Sequence, residues 1–552
     1  MAYGGWCARA AIAAALAASL AGCWENDAGS DGKIENEAVA SAAPTAAAVV
    51  KKAGAEPVDE QPGTVYYEIF VRSFYDSNGD GVGDLNGVTA KLDYLQQLGI
   101  GGIWLMPINP SPSYHGYDVT DYRAVNPDYG TLEDLKKLTD EAHKRGIKVI
   151  LDLVVNHTST EHPWFKEALA DPDSPYRSWY HFAGADEEVK ADGAVGSNPW
   201  HMTADGKSKY LGVFWEGMPD LNFDNADVRQ ELASIGRYWL EQGLDGFRLD
   251  AAKHIYGDYA STINSAEIQG ANQKWWQEFR SGLSGVKPDA YLVGEVWDSP
   301  VVIAPYLDKA LDSAFDFDLA GKLISAADRE RDSDLAFTLG KAYGLYEKSS
   351  GGSYVDAPFL SNHDQTRVMT ALSGNVSHAK MAAAMLLTLP GNPFIYYGEE
   401  IGMAGAKPDE YLREPMVWYA DPAGGEGQTS WERGKYNAAG SAVSVESEQK
   451  DEASLLAWYR MLLRWRSEEP ALRDGGIIAY SLKNAVPQVS AYVRATADER
   501  VLVLHNLSGQ PQMAELASEY GSFAKLSRKS DNAAELSGGV VTLPPYSSVI
   551  LK

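Results

Sequence analysis

Four short stretches of the chain gather residue types that can attack carbon or move protons: Asp152-Leu153-Val154-Val155-Asn156-His157, Gly246-Phe247-Arg248-Leu249-Asp250-Ala251-Ala252-Lys253-His254, Gly294-Glu295-Val296-Trp297 and Phe359-Leu360-Ser361-Asn362-His363-Asp364. Each is a short apolar run loaded with carboxylates, histidines or an arginine. An ionised carboxylate can act as a nucleophile, and a carboxylic acid that keeps its proton can act as a donor. Taken singly, none of these endings says much, because an Asp or Glu after a strand commonly serves a turn or caps a helix. They acquire meaning only if the fold brings them to one place.

From residue 64 onward, short β-rich runs alternate with amphipathic stretches, the pattern of βα units around a parallel sheet. Strands are predicted over 65–71, 102–105, 148–154, 246–249, 291–294, 314–317, 357–360 and 393–397. Leu92, Leu95 and Leu98, and then Leu132, Leu135 and Leu138, recur at helical spacing after the first two. Eight such units predict an α/β fold, a closed (β/α)8 TIM barrel, in which the C-terminal ends of different strands converge on one face. The four loaded stretches lie at such ends.

Between the third and fourth strands, residues 158–224 are rich in Trp, Pro, Gly and Asp without clear periodicity. This is read as an inserted domain, since loops this long are usually functional. The barrel then occupies 63–157 and 225–468. Past it, alternating runs at 489–493, 501–504 and 540–543 predict a C-terminal antiparallel β domain, a sandwich, over 469–552.

With 45% hydrophobic and 22% charged residues in 552, the composition is that of a globular protein. The net charge of −28 repels phosphate backbones and argues against a nucleic-acid partner; a neutral substrate suits it better. Both cysteines, Cys7 and Cys23, stand in the first 23 residues, so the rest of the chain has no disulfide and no cysteine-ligated metal. One basic residue, Arg9, precedes an apolar run over 10–20 that is too short to span a bilayer but suits a secretory signal. Leu20-Ala21-Gly22-Cys23 resembles the bacterial lipobox, which implies removal of 1–23 and lipidation of Cys23; a signal without lipidation is the alternative. Residues 24–62, Ala-rich and acidic, read as a flexible tether. The expectation is an exported monomer anchored by lipid to a bacterial membrane, at the cell surface or in the periplasm.

Together with Met218-Pro219-Asp220-Leu221-Asn222, the four stretches resemble, in order and in strand assignment, the signature of the α-amylase family of glycoside hydrolases. The resemblance runs from about residue 64 to the end. It implies a retaining mechanism with Asp250 as nucleophile and Glu295 as acid/base, about 5 to 5.5 Å apart. Asp364 would bind sugar hydroxyls and help distort the ring. Glu295 must keep its proton, which a low-dielectric site beside other carboxylates favours, with Asp364 as the expected source of that pressure. Arg248, two residues before Asp250, shares its strand face and can orient the nucleophile.

The same resemblance makes His157 and His363 donors to the bound glucose and Tyr117 the aromatic platform beneath it. Asp118 and Arg413 resemble a pair that closes the non-reducing end of the site; a purely structural salt bridge is the other reading. Lys253 and His254 would contact glucose on the leaving-group side.

Residues 76–84 place oxygen ligands at alternate positions, Asp76, Asn78, Asp80, the Val82 carbonyl and Asp84, with Gly81 sixth, which is the opening of a calcium loop. It is no EF-hand: Gly87 stands where that motif has Glu. Several members of the family carry such a loop as a stabilising Ca2+ site, and a metal-free turn is the alternative. The resemblance also implies a second Ca2+ between barrel and insertion, on Asn156, Asp220 and the carbonyl of His254.

Ala251-Ala252-Lys253-His254 resembles enzymes of α-1,4 links, whereas the Met218 motif and Arg413-Glu414-Pro415-Met416 resemble oligo-1,6-glucosidases. The expectation is an α-amylase of mixed character acting on starch and maltooligosaccharides. An exo-acting α-glucosidase or glucanotransferase would share the catalytic residues. A glycan-binding surface lipoprotein is the non-enzyme reading, suggested by the tether and 15 tryptophans.

Overall fold

The computed structural model describes residues 61, 63–421, 423–438, 443–518 and 521–552. The chain divides into Met1–Val50, none of it described, and a unit of Lys51–Lys552 that holds all that follows. The signal 1–23, Cys23 and nearly all of the tether therefore lie outside the described residues. Gln61, expected in the tether, is already part of the body. It is buried, its N–H donates to the Asp474 carbonyl at 2.8 Å, and its Oε1 accepts from Asp356 N–H.

Seven parallel strands form one sheet in the spatial order Phe394–Tyr396, Tyr66–Ile69, Gly102–Leu105, Lys148–Leu153, Gly246–Leu249, Tyr291–Gly294, Ser313–Ala314. The expected strand at 357–360 is present only as two single parallel bridges, Phe315 to Ala357 and Phe359 to Phe394, which join the two edges of the sheet. Pro358 explains the gap, because it has no N–H to offer a ladder. The strand expected over 314–317 stops at Ala314, since Asp316 caps a helix, Phe317–Asp328, by accepting from Leu319 N–H at 2.9 Å. The barrel interior is packed, with Tyr66 stacked between Tyr291 and Phe394 at 5.3 and 5.0 Å.

The outer helices follow the sequence pattern. Leu92, Leu95 and Leu98 are all buried on Leu92–Leu98. Leu132–Lys144 begins with a capping box between Thr131 and Asp134 and buries Leu135 and Leu138. The insertion carries a three-stranded antiparallel sheet of Phe182–Gly184, Ser208–Leu211 and Trp200–Met202. At its base His157 bridges Asp220.

The C-terminal residues form a five-stranded and a three-stranded antiparallel sheet whose inner faces, including Val493, Leu502, Leu504, Val541 and Leu543, share one core. Two buried arginines converge where this part meets the barrel, Arg494 from this part and Arg466 from the last barrel helix, Leu455–Glu468. Arg494 donates to the carbonyls of Thr388 and Gly475, and Arg466 to those of Leu387, Leu389 and Gly391, so both neutralise the C-terminal end of the helix Val376–Thr388. Among the described residues no helix is long and apolar enough to cross a membrane.

Candidate active site

A cavity of about 570 Å³ opens at the C-terminal ends of the strands. Asp250, Glu295 and Asp364 all line it, with Tyr117, His157, Lys253, His254 and Arg413. Residues far apart in sequence thus share one wall, as the barrel requires.

Arg248 organises the floor. It sits in the strand Gly246–Leu249 with 1% exposure, and its register partner is Asp152 of the neighbouring strand. One of its amino groups, Nη1, donates to Asp152 Oδ1 at 2.9 Å and to Asp250 Oδ1 at 2.7 Å; the other, Nη2, donates to Glu295 Oε2 at 2.6 Å. Two carboxylates held by adjacent nitrogens of one planar group cannot lie far apart. The guanidinium also lies 5.2 Å from the centre of the Trp104 ring. Ala251, next after Asp250, takes φ +47, a conformation a non-glycine residue adopts only under constraint. That turn lets its N–H donate to Glu295 Oε2 at 3.2 Å. Among the described residues, no hydrogen bond reaches the other oxygens, Asp250 Oδ2 and Glu295 Oε1. Each carboxylate therefore keeps one oxygen fixed and one free.

Burial pushes both carboxyls above their ordinary range, and the Arg248 charge opposes this in each. For Glu295 the charges of Asp250 and Asp364 add to the upward push, Asp250 ahead of Asp364. The pressure expected from Asp364 is thus secondary to burial. Asp152, wholly buried, is raised by burial to about 7 in spite of Arg248.

Asp364 behaves oppositely. Burial would raise it, but His363 at 3.1 Å and Arg413 at 2.8 Å hold it well below the usual carboxylate range. His363, expected as a glucose donor, stands directly behind the cavity wall. It is fully buried and absent from the cavity wall, with Nδ1 on Glu68 Oε1 at 2.5 Å and Nε2 shared between the Tyr117 hydroxyl at 2.7 Å and Asp364. Burial disfavours its charge, yet Asp364 and Glu68 raise it to about 10. It is a charged strut that holds Asp364 and, by stacking at 5.6 Å, the ring of Tyr117. His157 does line the cavity; its Nε2 faces the Tyr117 carbonyl at 3.2 Å, and burial lowers it to about 4.

Asp118 and Arg413 do not form an ion pair with each other among the described residues. Asp118 is buried beside Ser111 and Ser113, whose hydroxyls donate to it, and is not part of the wall. Arg413 instead shares Nη2 between Asp364 and, at 3.3 Å, Asp409. Lys253 donates to the Trp297 carbonyl and to Asp298, both at 3.0 Å. His254 lines the same side, lowered by burial to about 4.

Sequence reasoning left out Glu68 and Asp152 as partners, and Trp215, Trp297, Lys407 and Asp409 as wall. Glu68 and Asp152 had a signal, a charge inside a short apolar strand. The tryptophans had none beyond composition.

The loop 76–84 offers only oxygen donors, which suits a hard cation such as calcium. Asp76 and Asp84 are nearly buried, and their carboxylates accept from the loop's own N–H groups, among them Asn78, Gly81 and Ser77. The second expected site brings the side chains of Asn156 and Asp220 together. Asn156 donates to Asp220 Oδ1 at 3.1 Å and Val213 N–H to Asp220 Oδ2 at 3.0 Å, so both oxygens are engaged within the protein. Among the described residues, no three His, Cys, Asp or Glu side chains gather as a metal cluster.

Residues 68–475 match the family described as alpha amylase, catalytic domain, and residues 489–550 the alpha-amylase SusG C-terminal domain. Alpha-amylase 3 of Dictyoglomus thermophilum is 44% identical over 488 residues, 88% of this chain and 93% of that one. The 4-alpha-glucanotransferase of Thermotoga neapolitana is 34% identical, covering 81% of this chain and 97% of its own. Among solved structures, an alpha-amylase from H. orenii is 45% identical and superposes with a TM-score of 0.79, over 89% of this chain and 99% of that one.

Proposed function

The chain belongs to the α-amylase family and is a glycoside hydrolase acting on α-glucans, and from that premise we propose that it cleaves α-1,4 links of starch and maltooligosaccharides by double displacement. One observation carries this reading: Arg248 holds Asp250 and Glu295 together, each with one oxygen free. The free Oδ2 of Asp250 attacks the anomeric carbon while the free Oε1 of Glu295 gives its proton to the leaving oxygen. Water, deprotonated by Glu295, then releases the sugar from the Asp250 ester. Asp364, kept ionised by His363 and Arg413, binds sugar hydroxyls from the opposite side. Tyr117 offers its ring face to the sugar's C–H groups.

An α-glucanotransferase reading has one specific support, the relative from Thermotoga neapolitana. We favour hydrolysis because the more similar relatives are α-amylases. The experiment is a time course on soluble starch, maltotriose, pullulan and isomaltose, with the anomer of the product read by NMR. Internal cuts of starch and α-configured products are expected. Release of the β-anomer would overturn the mechanism, and activity confined to isomaltose would overturn the linkage.

We further propose that Asp76, Asn78, Asp80, the Val82 carbonyl and Asp84 hold a stabilising Ca2+; when bound, the ion would cross-link this loop, whose oxygen donors support it. The lipobox-like Cys23 supports export and lipid anchoring at a bacterial membrane, with the body acting as a monomer.

A further inference from the structure

The inserted domain reaches back over the barrel mouth at residues 192–196. Gly193 bridges Tyr259 in antiparallel register, just past the segment that follows Asp250. Ala194 N–H donates to the Asp258 carbonyl at 3.0 Å, and Ala260 N–H donates to the Asp192 carbonyl at 2.8 Å. The Asp192 carboxylate accepts from Ser261 N–H at 3.2 Å. Below this, the Tyr259 hydroxyl accepts from Trp200 Nε1 at 3.3 Å, and the Lys190 ammonium lies 4.9 Å from the Tyr259 ring centre. Gly193 has no room for a side chain, since a Cβ there would lie 2.1 Å from the Ser197 carbonyl oxygen. The turn so fixed leaves Val195 at its tip, 41% exposed and lining the cavity.

Val195 has company. Trp215 and Trp297, 49% and 51% exposed, line the same cavity. Apolar surface gathered in the wall of a cleft has a use when a partner covers it. Trp297 stands two residues after the proton donor Glu295, stacked on Phe317 at 4.4 Å, with Lys253 on its carbonyl. This wall adjoins Glu295, whose proton goes to the leaving oxygen in the reading above, so the leaving group is taken to depart here.

We propose that residues 192–196 are a strap, latched onto 258–261, that sets the leaving-group side of the cleft, and that Val195 is a specificity-determining residue packing against the sugar bound there. The proposal rests on the glycosidase reading above and deepens it. A sugar presents apolar C–H faces to Val195 and Trp297, whereas a leaving group the size of a halide touches neither.

The test compares maltohexaose, whose leaving sugar meets the strap, with α-maltosyl fluoride, whose leaving group is a fluoride ion. Asp192→Ala and Tyr259→Ala loosen the latch at two different points; Asp192→Asn keeps an oxygen for Ser261 N–H. The two loosening variants are expected to raise KM for maltohexaose about three- to tenfold, with turnover of the fluoride unchanged and Asp192→Asn close to wild type. Val195→Ser is expected to raise the maltohexaose KM in the same way. Unchanged maltohexaose kinetics, or equal losses on both substrates, would overturn the strap. A wild-type chain that turns over neither substrate would overturn the glycosidase reading and the strap with it.

Discussion

Asp250 and Glu295 are hydrogen-bonded to the two amino groups of a single guanidinium, that of Arg248, at 2.7 and 2.6 Å. The proposed nucleophile and proton donor are thereby positioned by one rigid plane and not by two independent rotamers. Asp250→Asn and Glu295→Gln are each expected to lower kcat on starch about 10³-fold or more with the melting temperature little changed. Arg248→Lys, which cannot span both acids, should also lose most activity. Near-normal turnover in any of the three would refute the assignment.

The Glu295 proton can be followed directly. Burial, then the charges of Asp250 and Asp364, keep this carboxyl above the ordinary range, so activity should fall on the alkaline side as Glu295 ionises. Difference infrared titration of wild type against Glu295→Gln should find the transition above 4.5. Asp364→Asn removes a negative neighbour and should move the transition down; an upward move would contradict the geometry.

Glu399 gives stability a pH slope. It is wholly buried, and burial raises it from 4.5 to about 8, against the hydrogen bond from Tyr459. A carboxyl whose folded value is raised is best tolerated below its unfolded value, and its contribution declines as pH rises from about 4.5 to about 8. Glu399→Gln should flatten the melting temperature across that window. An unaltered slope would show that Glu399 does not carry it.

Calcium binding at 76–84 predicts that a chelator lowers the melting temperature of the wild type by several degrees. Asp80→Ala should be as unstable without chelator and indifferent to it, whereas Asp220→Asn should keep the chelator response. A wild-type melting curve unmoved by strong chelator would exclude the site.

For the anchor, replacing Cys23 with Ser should move the protein from the membrane fraction to the soluble one. Persistence with the membranes would end the lipidation proposal.

The strand-end motifs were legible because each is local: Arg248, Asp250 and Glu295 sit at or just beyond the ends of short apolar runs, and a barrel must bring such ends together. The strand at 357–360 was over-read because its apolar residues fit the pattern while Pro358 withholds the hydrogen bond that would complete it. Glu68 was missed because its partner, His363, lies 295 residues away.

The amino-acid sequence by itself determined the barrel, the three acids and the family, since hydrophobic periodicity and short motifs depend only on near neighbours in the chain. Which groups hold those acids was decided by the tertiary structure alone. His363 bridges Glu68, Tyr117 and Asp364, Arg413 pairs with Asp364 and Asp409 and not with Asp118, and Val195 reaches the cleft on a distant loop. Hydrogen bonds and ion pairs act over a few ångströms in space, and only closure of the barrel under its inserted domain sets those distances.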